Sequence, residues 1–339
     1  MKKLDKKYIK YITIGIVSVV SVIVITGFVF LFDMFGWIGS SETVTISICE
    51  NDNVSIVCKK MEESGVVLNQ HIFKLYYRTN SPDATIYPGT VTVQKNSSYQ
   101  AITEAIHHPQ SETIQFTIPE GFELREIAKR LLAQELISDE ETFYQAMQSY
   151  TFVLNSEISI SGQEMLAGFL FPDTYEIEKG ATCEDIINIM TSNFLSKWTK
   201  EHEQKAQDLQ MDVQEIITLA SIVEREARKT EDFPLVASVF LNRLKIGKPL
   251  ESCATVQFIL HERKPVLSVE DTSIDSPYNT YQNAGLPPAP ISAPGMMAID
   301  AVLNPAETDY LYFFTDQNGD NHYAKTFEEH NALIAQFGL

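Results

Sequence analysis

The sequence predicts an α+β protein with a single N-terminal transmembrane helix, followed by strand–helix–helix–strand units and a C-terminal α+β domain. Three observations support this fold class. Residues 11–32 form one long uncharged apolar run. Two segments 70 residues apart match each other without a gap, each changing from strand-like alternation to helical spacing. The region after residue 212 shows helical periodicity and then a long loop rich in proline.

The N-terminal segment has the length and flanking charges of an uncleaved membrane anchor. As a helix, residues 11–32 span roughly 33 Å, the thickness of a bilayer core. Five lysines lie in residues 1–10, before the apolar run. The linker after the run, residues 33–41, begins with Asp33 and has no basic residue. The positive-inside rule therefore predicts a single-pass protein of the cell membrane, with a cytoplasmic N-terminus and an extracytoplasmic domain of about 300 residues. A cleaved signal peptide is the alternative, but its apolar run is shorter and an A-x-A-like site follows it.

The net charge of −19 is unevenly distributed along the chain. The first ten residues carry five of the 26 basic side chains and one of the 45 acidic ones, which leaves −23 on the rest. A domain this acidic repels the phosphate backbone that dominates nucleic-acid affinity. The composition thus excludes nucleic acid as an expected partner.

Cysteine and histidine positions give no sign of a metal centre. Cys49, Cys58, Cys183 and Cys253 lack the spacing of metal ligands, and the seven histidines are scattered. We therefore predict no metal and no cofactor. A disulfide between Cys49 and Cys58 is compatible with an extracytoplasmic domain, and each of Cys58 and Cys183 also suits a small buried position near or within a helix.

An internal repeat organises the middle of the chain. The segment Glu42–Ile48 (ETVTISI) overlays Glu112–Ile118 (ETIQFTI), and apolar positions further along overlay at the same displacement. Each copy begins with period-2 alternation, as in a half-buried strand, and continues at helical spacing. Asn69 and Asp139 occupy equivalent positions where a second helix needs an N-cap.

A second match, displaced by 84 residues, completes the repeat. Residues 87–102 resemble residues 171–186, and both read as strand, turn and helix. The two units are thus 42–108 and 112–192, with the second forming the start of a larger domain, 112–339. Similarity by chance between amphipathic patterns is the alternative interpretation.

A compact strand–helix–helix–strand unit of this size resembles the LysM fold, whose members bind glycans containing N-acetylglucosamine. That resemblance implies glycan binding by the first unit. A spacer or orienting module is an equally open interpretation, because a fold alone does not fix function.

A helix near the centre of the C-terminal region carries the main candidate for chemistry. Asp212 begins an acidic capping box with Glu215, and an apolar stripe follows at helical spacing. Glu224 lies at the edge of that stripe, where partial desolvation raises a carboxyl pKa and suits general-acid catalysis. Glu226 points to another face. From spacing alone, an ordinary ion pair between Glu224 and Arg228 remains open.

The later segment 276–295 (SPYNTYQNAGLPPAPISAPG) cannot be a regular element and predicts a fixed irregular loop. Tyr278, Asn279 and Tyr281 offer rings and an amide suited to stacking on sugars and hydrogen bonding to them. A linker is the alternative, although a solvated linker would rarely hold so many large apolar side chains.

Several motifs occur in the order found in one family: GFLFPDTYEI (168–177), LASIVEREA (219–227), VASVFLNRL (236–244), SPYNTY (276–281), GLPP (285–288), YLYFF (310–314) and EEHN (328–331). On these motifs the chain resembles the YceG-like family, the endolytic murein transglycosylases. The resemblance covers essentially all of 42–339. It implies a membrane-anchored lytic transglycosylase that cuts nascent peptidoglycan strands, alongside the cell-wall synthesis machinery.

The resemblance also implies individual site residues. The family's catalytic glutamate lies in the ASIVE motif, which corresponds to Glu224. Substrate-binding positions carried over from the motifs and the loop are Tyr278, Asn279, Tyr281, Glu251 and Thr255. The sequence departs from the family pattern at Ala167, where a glutamate is usual, at Glu251, where a glutamine is usual, and at Cys253, where an aspartate is usual.

Two rival functions remain at the level of sequence. A hydrolase would use Glu224 with Glu251 as a second carboxylate, since ordinary glycosidases need two. A scaffold without catalysis would dock on the cell-wall synthesis machinery through its anchor and repeat units, and Ala167 is the feature that favours it.

Overall fold

The computed structural model describes residues 6–49, 52–81, 85–109, 113–155, 158–264 and 266–337. Residues 1–5 of the expected cytoplasmic tail, and Glu112 at the expected start of the second repeat, lie outside the described residues. The chain divides into two compact units, Met1–Thr113 and Ile114–Leu339.

The first unit begins with a long helix, α1 (Lys6–Met34). Its segment Ile14–Met34 is long and apolar enough to cross a membrane, and the most apolar 18 residues of that segment include no buried residue. The helix continues past the predicted end at Phe32 because Asp33 is buried in the same unit. Its Oδ2 accepts hydrogen bonds from the Tyr99 hydroxyl, at 2.5 Å, and from the Leu68 N–H, at 3.1 Å.

The rest of the first unit alternates strands and helices: β1 (Thr43–Ile48), α2 (Val54–Glu63), α3 (Gln70–Asn80), β2 (Gly89–Gln94) and α4 (Tyr99–His107). The two strands pair antiparallel, with Thr43 opposite Gln94. Asn69 caps α3 as predicted, its side chain accepting from the N–H groups of His71 and Ile72. Aromatic and aliphatic side chains fill the core, with Phe73 fully buried against it.

The second unit begins with the same order of elements, interrupted by an insertion: β3 (Thr113–Thr117), α5 (Leu124–Ala133), α6 (Glu140–Ser149), β4 (Thr151–Val153), β5 (Ser159–Ser161), α7 (Gln163–Ala167), β6 (Thr174–Glu178) and α8 (Cys183–Lys197). Strand β3 pairs with β6, and Asp139 caps α6 as predicted. The β4–β5 hairpin and α7 lengthen the second copy, which explains why the displacement between matching segments grows from 70 to 84 residues.

The C-terminal part of the second unit is mainly helical: α9 (Lys200–Asp208), α10 (Val213–Glu226), α11 (Asp232–Lys245), α12 (Cys253–Leu260), α13 (Val269–Thr272), α14 (Met296–Leu303), β7 (Tyr312–Thr315), β8 (Asn321–Ala324) and α15 (Phe327–Phe337). Every residue from Ile216 to Val223 is buried, so α10 is the core helix, packed on α11, α12 and α14. The predicted capping box of Asp212 and Glu215 begins it.

All four cysteines are free thiols, so Cys49 and Cys58 are not joined by a disulfide in this structure. Cys58 is buried in α2, and burial raises the pKa of its thiol to about 11. Cys183 is the first residue of α8, just after the Thr182 cap. Cys58 and Cys183 therefore take the helix positions expected of them from the sequence.

Candidate active site

Glu224 lies in the last turn of α10, where the buried stripe of the helix meets the surface. Its side chain is half-buried, and its Oε2 accepts a hydrogen bond of 3.0 Å from the backbone N–H of Gly295. Burial raises the pKa of Glu224 to about 7; the Gly295 hydrogen bond opposes that shift, and the negative charge of Glu120 adds to it. A substantial fraction of this carboxyl is therefore protonated at neutral pH.

The ion pair that spacing left open, between Glu224 and Arg228, is not found among the described residues. Helix α10 ends at Glu226, and Ala227 is extended, with φ −75° and ψ 139°. Arg228 is consequently not in the i+4 position of a helix and projects from the exposed surface. Because no cation neutralises Glu224 directly, the burial effect on its pKa dominates.

The next residue along the helix, Arg225, is committed to a buried charge network. Its Nη1 lies 2.9 Å from Oε1 of Glu123, whose other oxygen lies 2.7 Å from Nε of Arg125. The Glu123 side chain is 2% exposed and that of Arg225 is 5% exposed. Two cations on one buried carboxylate satisfy its charge, so this network fixes the turn before α5 against the end of α10.

The segment that leads to Gly295, residues 291–295, is hydrogen-bonded to α10, and this positions the Gly295 N–H. Ser221, one turn before Glu224, accepts from the Ile291 N–H at 3.0 Å, and its carbonyl accepts from the Ser292 hydroxyl at 3.1 Å. Gly295 is the N-cap residue of α14. Its N–H belongs to the unsatisfied donors at a helix start, which favour a carboxyl oxygen as acceptor.

Glu226 faces a different neighbour from Glu224, as predicted. Its Oε1 accepts from the Ser252 hydroxyl at 2.6 Å and from the Ala254 N–H at 3.1 Å. These donors belong to the start of α12, so Glu226 caps that helix from outside. Each acidic residue at the end of α10 thus accepts hydrogen bonds from different groups: Glu226 from the start of α12, and Glu224 from the Gly295 N–H.

Two of the predicted substrate-binding residues are held by other protein groups. Glu251 pairs with Arg243, at 2.6 Å, and with Lys248, at 3.7 Å. Thr255 is fully buried, donating to the Ser252 carbonyl at 2.8 Å and bonding the Thr280 hydroxyl at 2.9 Å. Thr255 thus packs in the core through these two hydrogen bonds, and its role in substrate binding stays a prediction that its burial does not favour.

The predicted sugar-binding loop is irregular, but two of its three chosen residues point inward. Asn279 is fully buried: its Nδ2 donates to the carbonyls of Thr272 and Ile274, and its Oδ1 accepts from the Tyr281 N–H. No polar atom of its amide is left for a ligand. In this geometry Asn279 braces the loop, and a contact between Asn279 and a sugar stays a prediction that its burial does not favour.

Tyr278 is likewise buried, and its hydroxyl donates to Oε2 of Glu164 at 2.7 Å. Burial, together with that hydrogen bond, raises the pKa of Tyr278. Glu164 lies one helical turn before Ala167, which is buried beside a small cavity of about 170 Å³. Ala167 thus provides an apolar side chain at this position, and Glu164, the hydrogen-bond partner of Tyr278, lines the same cavity.

Tyr281 is the loop residue that opens onto a cleft. The cleft has a volume of about 910 Å³ and lies beside the end of α10. Its walls combine cations, aromatic rings and polar groups, among them Arg225, Arg228, Glu251, Cys253, Tyr281 and Tyr312. The Tyr281 hydroxyl contacts the Cys253 sulfur at 3.1 Å, where the family pattern has an aspartate. A ring beside arginines suits a polar ligand with apolar faces, such as a sugar.

One carboxyl near Glu224 was missed by sequence reasoning. Glu120 follows β3 in a Pro-Glu-Gly turn and packs against Gly295, and its charge acts on Glu224. Nothing in a one-dimensional pattern connects residues 120 and 224, although a glycine with φ of +73° at position 121 marks a constrained turn. Within the described residues, no group of three histidine, cysteine, aspartate or glutamate side chains could hold a metal ion.

Comparison with known proteins gives consistent matches. The model of the YceG-like family matches residues 46–336. The chain is 31% identical over 304 residues to the endolytic murein transglycosylase of Bacillus subtilis (strain 168), covering 86% of this chain and 84% of that protein. It is 32% identical over 326 residues to the protein of that name from Streptococcus pneumoniae serotype 2, covering 88% of this chain and 59% of the relative.

A solved structure also matches the fold. The 2.6 Å crystal structure of a YceG-like protein from Listeria monocytogenes aligns with a TM-score of 0.58 and 30% sequence identity. The alignment covers 87% of this chain and all of that one.

Proposed function

Because the chain belongs to the YceG-like family, we propose that it is a peptidoglycan lytic transglycosylase, the activity named for its curated relatives. Its substrate is then a glycan strand, cleaved between N-acetylmuramic acid and N-acetylglucosamine. The observation that carries the proposal is Glu224, a half-buried carboxyl with a raised pKa that forms no ion pair within the described part of the chain. That is the state a general acid needs before catalysis.

In the first step Glu224 protonates the glycosidic oxygen, and the bond from that oxygen to the anomeric carbon breaks. The Gly295 N–H donates to Oε2, so the transferable proton belongs on Oε1. As the bond breaks, the carbonyl oxygen of the muramoyl 2-acetamido group bonds to the anomeric carbon, forming a positively charged oxazolinium ring. The sugar itself thus supplies the nucleophile that a second protein carboxylate supplies in ordinary retaining glycosidases.

In the second step the same sugar closes on itself. The 6-hydroxyl oxygen bonds to the anomeric carbon, the bond to the acetamido oxygen breaks, and the Glu224 carboxylate takes the hydroxyl proton. The product is a 1,6-anhydromuramoyl end, and Glu224 is protonated again. No water is consumed, so one carboxyl serves as acid and then as base.

The rest of the proposal concerns where and on what the enzyme acts. Helix α1 anchors the protein in the cell membrane, with the following domain outside the cytoplasm, where nascent strands emerge. The cleft beside α10 has Arg225, Glu226 and Tyr281 on its wall, but not Glu224 itself, so it binds the part of the strand next to the bond that is cleaved. The LysM-like first unit binds or orients the glycan, and the cell-wall synthesis machinery is the neighbouring partner.

The decisive experiment is mass spectrometry of products from the purified full chain, in detergent, acting on uncrosslinked glycan strands. The proposal expects 1,6-anhydromuramoyl ends and no incorporation of oxygen from labelled water. Reducing ends carrying labelled oxygen would instead establish a hydrolase. No cleavage by a folded protein would favour the scaffold.

The structure weakens the particular hydrolase considered from the sequence. Glu251 is bound by Arg243 and Lys248 and so has little freedom to activate water for Glu224. The scaffold alternative rests on Ala167 alone, which fills an apolar position and removes no group from Glu224.

A further inference from the structure

We propose that Glu120 is a second catalytic carboxylate, which accepts a hydrogen bond from the 2-acetamido N–H of the muramoyl sugar and so aims its carbonyl oxygen at the anomeric carbon. This role rests on the proposed function, because it belongs to the acetamido step of that mechanism. This proposed role concerns a residue that neither the sequence patterns nor the family motifs identify.

The backbone next to Glu120 is hydrogen-bonded to the segment 291–295, which also contains Gly295, the hydrogen-bond partner of Glu224. The Gly121 N–H donates to the Ala293 carbonyl at 2.8 Å, and the Ala293 N–H donates to the Phe122 carbonyl at 2.8 Å. Gly121 has a φ of +73°, a conformation that favours glycine. These bonds hold the turn after β3 against the residues just before Gly295.

Both carboxyl groups converge on Gly295. Its N–H binds Oε2 of Glu224, and a methyl group added at its Cα would overlap the carboxyl of Glu120. A methyl group at Gly121 would lie 3.5 Å from Cγ of Glu224. Two glycines therefore allow two acidic side chains to approach each other, an arrangement that costs electrostatic repulsion when both carboxyls are ionised and so favours the neutral form of Glu224.

The two carboxyls differ in environment, which is the usual basis for dividing acid and acceptor roles. Glu224 is half-buried, whereas Glu120 is exposed and makes no ion pair or hydrogen bond among the described residues. Its oxygens are therefore open to a ligand approaching Glu224 from solvent. An amide N–H needs such an acceptor, and an anionic one strengthens the bond as the oxazolinium charge develops.

Other acidic side chains around the site are already engaged. Glu123 is bound by two arginines, Glu226 caps α12, and Glu251 pairs with Arg243. Glu120 is thus the carboxylate near Glu224 with free acceptor capacity. In the step itself no proton leaves the acetamido nitrogen: the N–H···O contact shortens while the carbonyl oxygen bonds to the anomeric carbon and the glycosidic bond breaks.

The test compares Glu120→Ala and Glu120→Gln with the wild-type full chain and with Glu307→Gln, which changes an exposed carboxyl elsewhere in the second unit. Cleavage rates on uncrosslinked strands are measured together with inhibition by N-acetylmuramic acid thiazoline, a stable mimic of the oxazolinium ring. We expect Glu120→Ala to lower kcat about 100-fold with little change in KM, and to weaken thiazoline inhibition at least about 10-fold. Glu307→Gln should match the wild type in both.

Melting temperatures should agree among all four proteins, since Glu120 is exposed. A kcat for Glu120→Ala within about threefold of the wild type would overturn the proposal, as would thiazoline failing to inhibit the wild-type enzyme. Reducing-end products whose formation depends on Glu120 would also overturn it, by making Glu120 a base for water. Failure of the broader function gives a different result: the wild-type enzyme would then form no 1,6-anhydromuramoyl ends, whatever residue stands at position 120.

Discussion

At the scale of single residues, the chemistry depends on how two opposing influences on Glu224 balance. The Gly295 N–H favours the ionised carboxyl, while burial and the Glu120 charge favour the neutral acid. Burial is the largest of these, and the pKa rises to about 7. The glycine contact therefore orients the carboxyl without making it permanently anionic, as the proposed acid and base roles of Glu224 require.

Replacing Glu224 by Gln should abolish cleavage without unfolding the protein. The amide oxygen of Gln can still accept from Gly295, but Gln cannot donate and recover a proton, so a rate loss of about 10²–10⁴ or more is expected. The measurement is strand cleavage by the purified variant, with Glu307→Gln as the matched control. Residual activity within tenfold of the wild type would assign the acid role to another residue.

The same substitution should make folding stability respond differently to pH. The folded-state pKa of Glu224, about 7, lies above its ordinary value of 4.5, so its contribution is most favourable below pH 4.5 and is lost as pH rises through 7. Glu224→Gln has no such loss. Urea unfolding should therefore show the variant gaining about 1–3 kcal/mol relative to the wild type between pH 5 and pH 8. An equal difference at both pH values would mean that Glu224 is not desolvated.

At the scale of elements, the sequence predicts the helix caps, which depend on neighbouring residues, but not where α10 ends. The capping box at Asp212 and the caps at Asn69 and Asp139 depend on residues within one turn, so the sequence predicts them. The choice between an ionised and a neutral Glu224 depended on where α10 stops. Ala227 leaves the helix one residue before Arg228, and spacing alone carries no information about that end.

The loop after α13 shows that side-chain chemistry alone does not reveal which side chains of a loop are buried. Tyr278 and Asn279 have groups suited to sugars, but an irregular loop must satisfy its own backbone polar groups when buried. Asn279 does so for three of them. The sequence does not point to Glu120, because Glu224, on which its charge acts, lies more than a hundred residues further along the chain.

Asn279→Ala should therefore lower stability, contrary to the expectation from sequence. Two carbonyls and one N–H lose their partner inside the core, which should cost about 2–4 kcal/mol. Asn283→Ala is the control, because Asn283 also donates to loop carbonyls but is exposed and should cost less than about 1 kcal/mol. Urea unfolding and cleavage are measured on both variants. Loss of activity in Asn279→Ala at full stability would restore it as a substrate contact.

At the scale of the whole molecule, the ordered motifs predict the family, which the comparisons show. Composition predicts a membrane anchor and an acidic domain, from one apolar run in residues 11–339, which carry −23 in total. The structure adds how α1 continues into the rest of the first unit: Asp33, near the end of α1, accepts hydrogen bonds from Tyr99 and Leu68. These hydrogen bonds fix the direction in which α1 leaves the first unit.

The final prediction concerns membrane topology. A reporter fused after Leu339 should be active only outside the cytoplasm, and the full-length protein should fractionate with membranes, because positive charge before a span stays inside. The control replaces the tail lysines with glutamine, at Lys2, Lys3, Lys6, Lys7 and Lys10. With no basic bias left, the orientation should become mixed, and reporter activity should fall while membrane association persists. A released protein lacking α1 as the main cellular form would instead identify the segment as a cleaved signal peptide.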